Sequence, residues 1–171
     1  MTIIQPQLNE IWKIFNNEKS SKPIYIVGFM GCGKSTFGKF VAQKFRKTFI
    51  DLDEYISKKE NKTIPEIFEN EGENYFRLIE KKSIQQISQL KNVVVATGGG
   101  TPCFFDNMKL MTETGTTIYL KNSPQKLFET LLLIKETRPL LANKNEKELF
   151  DYINKELPLR EKYYERADFQ Y

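Results

Sequence analysis

Hydrophobic positions along this chain follow two rhythms, and their alternation predicts its architecture. Ile24-Tyr25-Ile26-Val27 reads as a buried strand, and Val93-Val94-Val95-Ala96 is a continuous apolar run buried on both faces, as in a parallel sheet. Thr48-Phe49-Ile50 and residues 116–120 predict two more strands, and residues 167–171 would start a fifth. Helices are expected between them over residues 36–45, 53–60, 64–70, about 73–90, 124–134 and about 147–166. Thr63-Ile64-Pro65-Glu66 is a capping box with proline in the first turn, and Ser123-Pro124 supplies a cap with proline at the first helical position. Leu157-Pro158 predicts a break or kink in the last helix. Strands alternating with helices imply an α/β fold, a three-layer doubly wound sandwich on a five-stranded parallel sheet.

Ahead of the first strand, Leu8, Ile11, Trp12 and Phe15 fall at i, i+3, i+4 and i+7, one apolar face of a short helix. Residues 16–22 then read as a linker. The expected division is a leader helix and linker over 1–22 and a catalytic domain over 23–171. A docked helix is the first reading of the leader, and a loosely held arm is the alternative.

Composition narrows the classes. A chain of 171 residues with 40% apolar and 28% charged residues is ordinary globular material of one-domain size. Its net charge of +4 suits anionic substrates, and no basic arm interleaved with aromatics argues for nucleic acid. The sequence shows neither a membrane-length apolar run nor a signal-peptide pattern, and its 2 cysteines fit a reducing compartment. A cytoplasmic monomer is the expectation. With 0 histidines, imidazole acid–base catalysis and histidine metal sites are excluded, and a carboxylate is the expected proton acceptor.

The chemistry gathers at the ends of the predicted strands. Gly28-Phe29-Met30-Gly31-Cys32-Gly33-Lys34-Ser35 satisfies G-x-x-x-x-G-K-[ST] between a strand and a helix. Such a loop curls its N–H groups around phosphate oxygens, sends Lys34 to the β- and γ-phosphates and sets the Ser35 hydroxyl on Mg²⁺. The plain alternative is a glycine-rich turn with a surface lysine. Asp51-Leu52-Asp53 stands at the carboxyl end of the second strand, where ligands collect in open parallel sheets. A helix N-cap at Asp53 is the structural alternative. Thr97-Gly98-Gly99-Gly100 closes the third strand and leaves the backbone open to a ligand. Two short helices between the second and third strands form an insertion that can cover a substrate. Arg77, taken alone, reads as a solvated helix charge.

In combination, GFMGCGKST, FIDLDEYI, IPEIFENEGENYFRLIE, ATGGGTPC, TRPLL and a late R-x-x-x-Y resemble the shikimate kinase family, over roughly residues 24–168. The tract GGGTPCFFDNM resembles the Bacteroidetes members in particular. The resemblance implies a P-loop NTPase-type, nucleoside-monophosphate-kinase-like fold and phosphate transfer from ATP to the 3-hydroxyl of shikimate. Carried over, Asp53 would hold and polarise that hydroxyl, Arg77 and Arg160 would grip the shikimate carboxylate, and Gly98, Gly99 and Gly100 would present N–H groups, steadied by Glu80. Gly31, Cys32, Gly33, Lys34, Ser35 and Thr36 would bind ATP. Ser35 and Asp51, the latter through water, would serve Mg²⁺. Lys34 and Arg138 would neutralise the moving phosphoryl group. The acceptor-binding part would span about 52–80 and a lid about 134–148.

Three positions depart from the family pattern. Thr130-Leu131-Leu132-Leu133 stands where an adenine-side arginine is usual, leaving Lys135 as a candidate to hold the base. Lys162 replaces a proline between Arg160 and Tyr164. The family continues into a final helix where this sequence stops at Tyr171, and a truncation and a substitution by the leader helix are both open. A sister kinase for gluconate or a nucleotide, and a degenerate nucleotide-binding module, remain the competing readings.

Overall fold

The computed structural model describes residues 21–134, 141 and 144–171. Its strands are β1 (Ile24–Val27), β2 (Thr48–Asp51), β3 (Val93–Ala96), β4 (Thr116–Tyr119) and β5 (Phe169–Gln170). They form a five-stranded sheet in the order β2-β3-β1-β4-β5, with every neighbouring pair parallel. The helices are α1 (Lys34–Lys44), α2 (Leu52–Glu60), α3 (Ile64–Ile87), α4 (Asn107–Thr114), α5 (Pro124–Ile134) and α6 (Glu146–Tyr164). This is the doubly wound α/β architecture that the hydrophobic pattern predicts. The two all-apolar strands, β1 and β3, are fully buried at its centre, whereas β2 lies at the edge and exposes Thr48.

From β1 the chain crosses to one side of the sheet to reach β2, and from β3 it crosses back to the other side to reach β4. The loops leaving the adjacent strands β1 and β3 therefore diverge, which opens a crevice at their carboxyl ends. Both glycine-rich loops sit there.

Several elements differ in detail from the sequence expectations. The helices expected at 64–70 and 73–90 form one element, α3, interrupted only at Gly72, whose φ of 82° and ψ of 170° lie outside helical geometry. The capping box of Thr63 and Glu66 starts it as predicted. The last helix neither ends nor divides at Pro158, because Leu149, Ile153, Leu157 and Tyr164 bury one face on both sides of the missing N–H. Helix α4, absent from the sequence expectations, lies between Asp106 at its N-cap and Gly115 at its C-cap. Its N-terminal Asp106 makes no side-chain cap and pairs instead with Lys81 at 2.8 Å, so burial of Met108 and Met111 holds the helix. Residues 1–20 of the expected leader and linker, Lys135 and Arg138 lie outside the described residues, as does most of the expected lid.

Candidate active site

The loop after β1 turns at Gly28, Gly31 and Gly33, with φ of 145°, 79° and 91°. Gly33 caps α1 in a left-handed conformation and no side chain caps that end, so the first-turn N–H groups face the crevice. Lys34 folds back over the loop, and its Nζ donates to the carbonyls of Gly28 (2.9 Å) and Phe29 (2.8 Å). The Ser35 hydroxyl donates to Oδ2 of Asp51 at 2.7 Å, joining the phosphate loop to the end of β2.

Asp51, and not Asp53, is the N-cap of α2. Its backbone is extended (φ −89°, ψ 122°), and its Oδ1 accepts the N–H of Asp53 at 3.1 Å. The helix begins at Leu52, two residues earlier than a cap at Asp53 requires, and Asp53 falls in the first turn. A cleft of about 300 Å³ runs along this edge, lined by Lys34, Ser35, Asp51, Asp53, Gly98 and Gly99 among others, with Thr130 and Ile134 of α5 on its far side.

The glycine loop after β3 brings distant elements together. A Cβ at Gly98 would lie 3.2 Å from Oε1 of Glu80 and 3.3 Å from Oδ1 of Asp53. One at Gly99 would lie 3.3 Å from the N of Met30 and 3.8 Å from Nη1 of Arg160, and one at Gly100 would lie 2.8 Å from Nη1 of Arg77. Both carboxyl ends of the central strands, both arginines and Asp53 thus meet across three residues that have no side chains. Arg77 is not a solvated helix charge: its side chain keeps 14% of its exposure, with Nη1 bonded to Glu80 (3.0 Å) and Nη2 to Glu73 (3.0 Å). Arg160 donates to Glu156 at 3.0 Å and lies over the Phe29 ring.

Glu80 is fully buried and accepts the Thr101 hydroxyl at 2.5 Å. Burial raises its carboxyl above the usual range, while Arg77 and the Thr101 hydrogen bond pull it back down. Burial also pushes the Cys103 thiol up to about 11.

Residues 30–170 match the family profile described as Shikimate kinase. The shikimate kinase of Phocaeicola vulgatus is 44% identical over 144 residues, which cover 84% of this chain and 82% of that one. The chain belongs to the shikimate kinase family. The 1.7 Å crystal structure of the shikimate kinase from Bacteroides thetaiotaomicron matches it with a TM-score of 0.84 and 41% identity, covering 88% of this chain and 85% of that one. A shikimate kinase from Acinetobacter baumannii in complex with shikimate matches with a TM-score of 0.77 and 32% identity, covering 92% and 86%.

For a shikimate kinase the geometry divides the predicted site residues into two groups. Gly31, Gly33, Lys34, Ser35, Thr36 and Asp51 line the cleft with Asp53, Gly98 and Gly99. Arg77, Glu80, Gly100 and Arg160 flank it on the side of the glycine loop. Cys32 is buried behind the phosphate loop, with Sγ 3.9 Å from the Lys34 ammonium. Sequence reasoning missed Tyr164 as an individual residue, although it ends the R-x-x-x-Y motif. Its hydroxyl donates to the Gly99 carbonyl at 2.5 Å and ties α6 to the glycine loop. It also missed Thr101 and Phe104, whose only signal was their place in the tract after the triple glycine.

Proposed function

We infer that this enzyme transfers the γ-phosphate of ATP to the 3-hydroxyl of shikimate, giving shikimate 3-phosphate and ADP. Family membership and identity across most of the chain support the activity. The observation that carries the residue roles is the meeting of Asp53, Arg77 and Arg160 at Gly98–Gly100, beside the Lys34 and Ser35 loop.

In this reading the triphosphate lies on the N–H groups at the start of α1, and Lys34 leaves its two carbonyl partners for the β- and γ-oxygens. Asp53 accepts the hydrogen bond of the acceptor hydroxyl and takes its proton as the phosphoryl group arrives. Arg77 and Arg160 receive the acceptor's carboxylate, for which a guanidinium fork is shaped. The chemistry then rests on position and charge, so an enzyme without histidine loses nothing it needs.

Mg²⁺ fits the residues present. The Ser35 hydroxyl and the Asp51 carboxylate are hard oxygen donors 2.7 Å apart beside the phosphate loop. Among the described residues no group of three or more metal-ligating acidic, cysteine or histidine side chains occurs, which suits an ion that keeps waters and shares the triphosphate. Bound there, the ion would offset the negative charge of the transferring phosphoryl group. Arg138, outside the described residues, is assigned by the same reading to the γ-phosphate.

We take the enzyme to act as a monomer. Both cysteines are free, and no helix among the described residues is long and apolar enough to cross a membrane. These observations accord with a cytoplasmic enzyme.

The test is an ADP-release assay with ATP and Mg²⁺ and with shikimate, quinate, gluconate or AMP as acceptor. Release with shikimate alone supports the assignment. Release with gluconate or AMP alone gives the enzyme to another acceptor, and none with any acceptor marks a nucleotide-binding module.

A further inference from the structure

The tract that follows the glycine loop grips α3 through two consecutive aromatic residues. The ring centroid of Phe104 lies 4.0 Å from Cζ of Arg77, and that of Phe105 lies 5.1 Å from Nζ of Lys81, one helical turn further along. Successive side chains of an extended segment point to opposite sides, so two rings reaching the same helix face require a turn between them. Phe105 supplies it with a φ of 53°, a left-handed conformation uncommon for a bulky residue.

Both ends of the tract are pinned. The N–H of Cys103 donates to the carbonyl of Gly100 at 2.8 Å, and the buried Asn107 donates to that of Thr101 at 3.0 Å. Asp106 pairs with Lys81 at 2.8 Å. The guanidinium of Arg77 is thereby enclosed. Glu73 takes Nε and Nη2 at 3.1 and 3.0 Å, Glu80 takes Nη1 at 3.0 Å, and the Phe104 ring lies across it. Ion pairs along the edge of a guanidinium tolerate tilt of its plane. A ring at this distance does not.

We propose that Phe104 is a positioning residue for acceptor binding, held by the left-handed Phe105 so that its ring fixes the plane in which Arg77 meets a carboxylate. This rests on Arg77 being the carboxylate ligand. The gain is preorganisation: an arginine already oriented loses less side-chain freedom when the substrate arrives.

Steady-state kinetics of Phe104→Leu, Phe104→Tyr, Arg77→Ala and the double variant Phe104→Leu/Arg77→Ala test it, with thermal unfolding of each. A cation–π contact of this kind predicts a shikimate KM raised about 2- to 30-fold by Phe104→Leu. kcat and the ATP KM should stay within about twofold of wild type, as expected when only acceptor binding is lost. Phe104→Tyr restores the wild-type KM, and in the Arg77→Ala background the leucine adds nothing further. An unchanged shikimate KM in Phe104→Leu overturns the proposal, and so does a full-sized effect that persists without the arginine. If Phe104→Leu does not fold, Phe104→Met keeps the bulk, removes the ring and is held to the same outcomes. An unchanged KM in Arg77→Ala instead overturns the reading of Arg77 itself, so the two failures are distinct.

Discussion

Gly100 and Arg77 compete for the same space. A Cβ on residue 100 would lie 2.8 Å from Nη1 and 2.9 Å from Nη2 of Arg77. The backbone of Gly100, at φ −88° and ψ −21°, is open to any residue. Glycine is needed here for room and not for conformation.

Gly100→Ala should therefore fold normally while displacing the arginine. The guanidinium is the far end of a flexible side chain, so the clash resolves by moving it. A displacement near 1 Å predicts a loss on the order of 10- to 100-fold in kcat/KM for shikimate, with ATP binding unchanged. Kinetics together with a melting curve decide the matter, and an alanine variant with wild-type shikimate kinetics would falsify this reading of the pair.

The two aspartates of β2 and α2 should separate cleanly. Asp53→Asn is expected to keep nucleotide affinity and lose about 10²- to 10⁴-fold in turnover, the usual contribution of a positioned proton acceptor. Asp51→Asn should instead raise the Mg²⁺ concentration needed for activity. Because asparagine caps helices as well as aspartate does, that variant should keep its stability, whereas Asp51→Ala should lose about 0.5–2 kcal/mol by denaturant unfolding. Equal stability of the asparagine and alanine variants would remove the cap from the account.

Tyr164→Phe should loosen the glycine loop. The change leaves the part-buried Gly99 carbonyl without its donor, an omission worth about 1–3 kcal/mol. Burial holds the phenol well above its ordinary pKa, so the lost bond was a donated one at every pH used for assay. A lower denaturation midpoint at an unchanged slope, with a raised shikimate KM, is the expected result. Retention of both values would show that the loop stands without the tyrosine.

Glu80 predicts a pH dependence of stability. Burial raises its folded-state pKa above the ordinary carboxylate value, so between those two values the folded protein holds more protons than the unfolded chain. Stability attributable to this group then falls as the pH rises through the folded pKa, and it is recovered on acidification. Wild type should accordingly gain on Glu80→Gln as the pH is lowered from neutrality toward the ordinary carboxylate range, read as a difference in melting temperatures. A difference that stays constant, or moves the other way, would mean that Arg77 and Thr101 outweigh desolvation.

By itself the sequence determined the strands β1 to β5, the phosphate loop, the capping box of α3 and the aspartates at a strand end. Each depends on neighbours in the chain, through a two-residue or 3.6-residue period, a cap or a glycine conformation. The N-cap reading stood or fell on which residue kept extended backbone, and there local pattern placed the cap two residues late. Tertiary structure alone decided the rest. Arg77 looks like a surface charge until α3 packs against residues 100–104. Asp106 at the start of α4 spends its side chain on Lys81 rather than on a cap, so the helix rests on methionines that need a core to bury them. Gly98, Glu80 and Asp53 converge from a strand end and two helices, and Tyr164 reaches back to Gly99 across 65 positions. Such contacts form only when the parallel sheet sets its strand ends side by side, and no period along the chain encodes that adjacency.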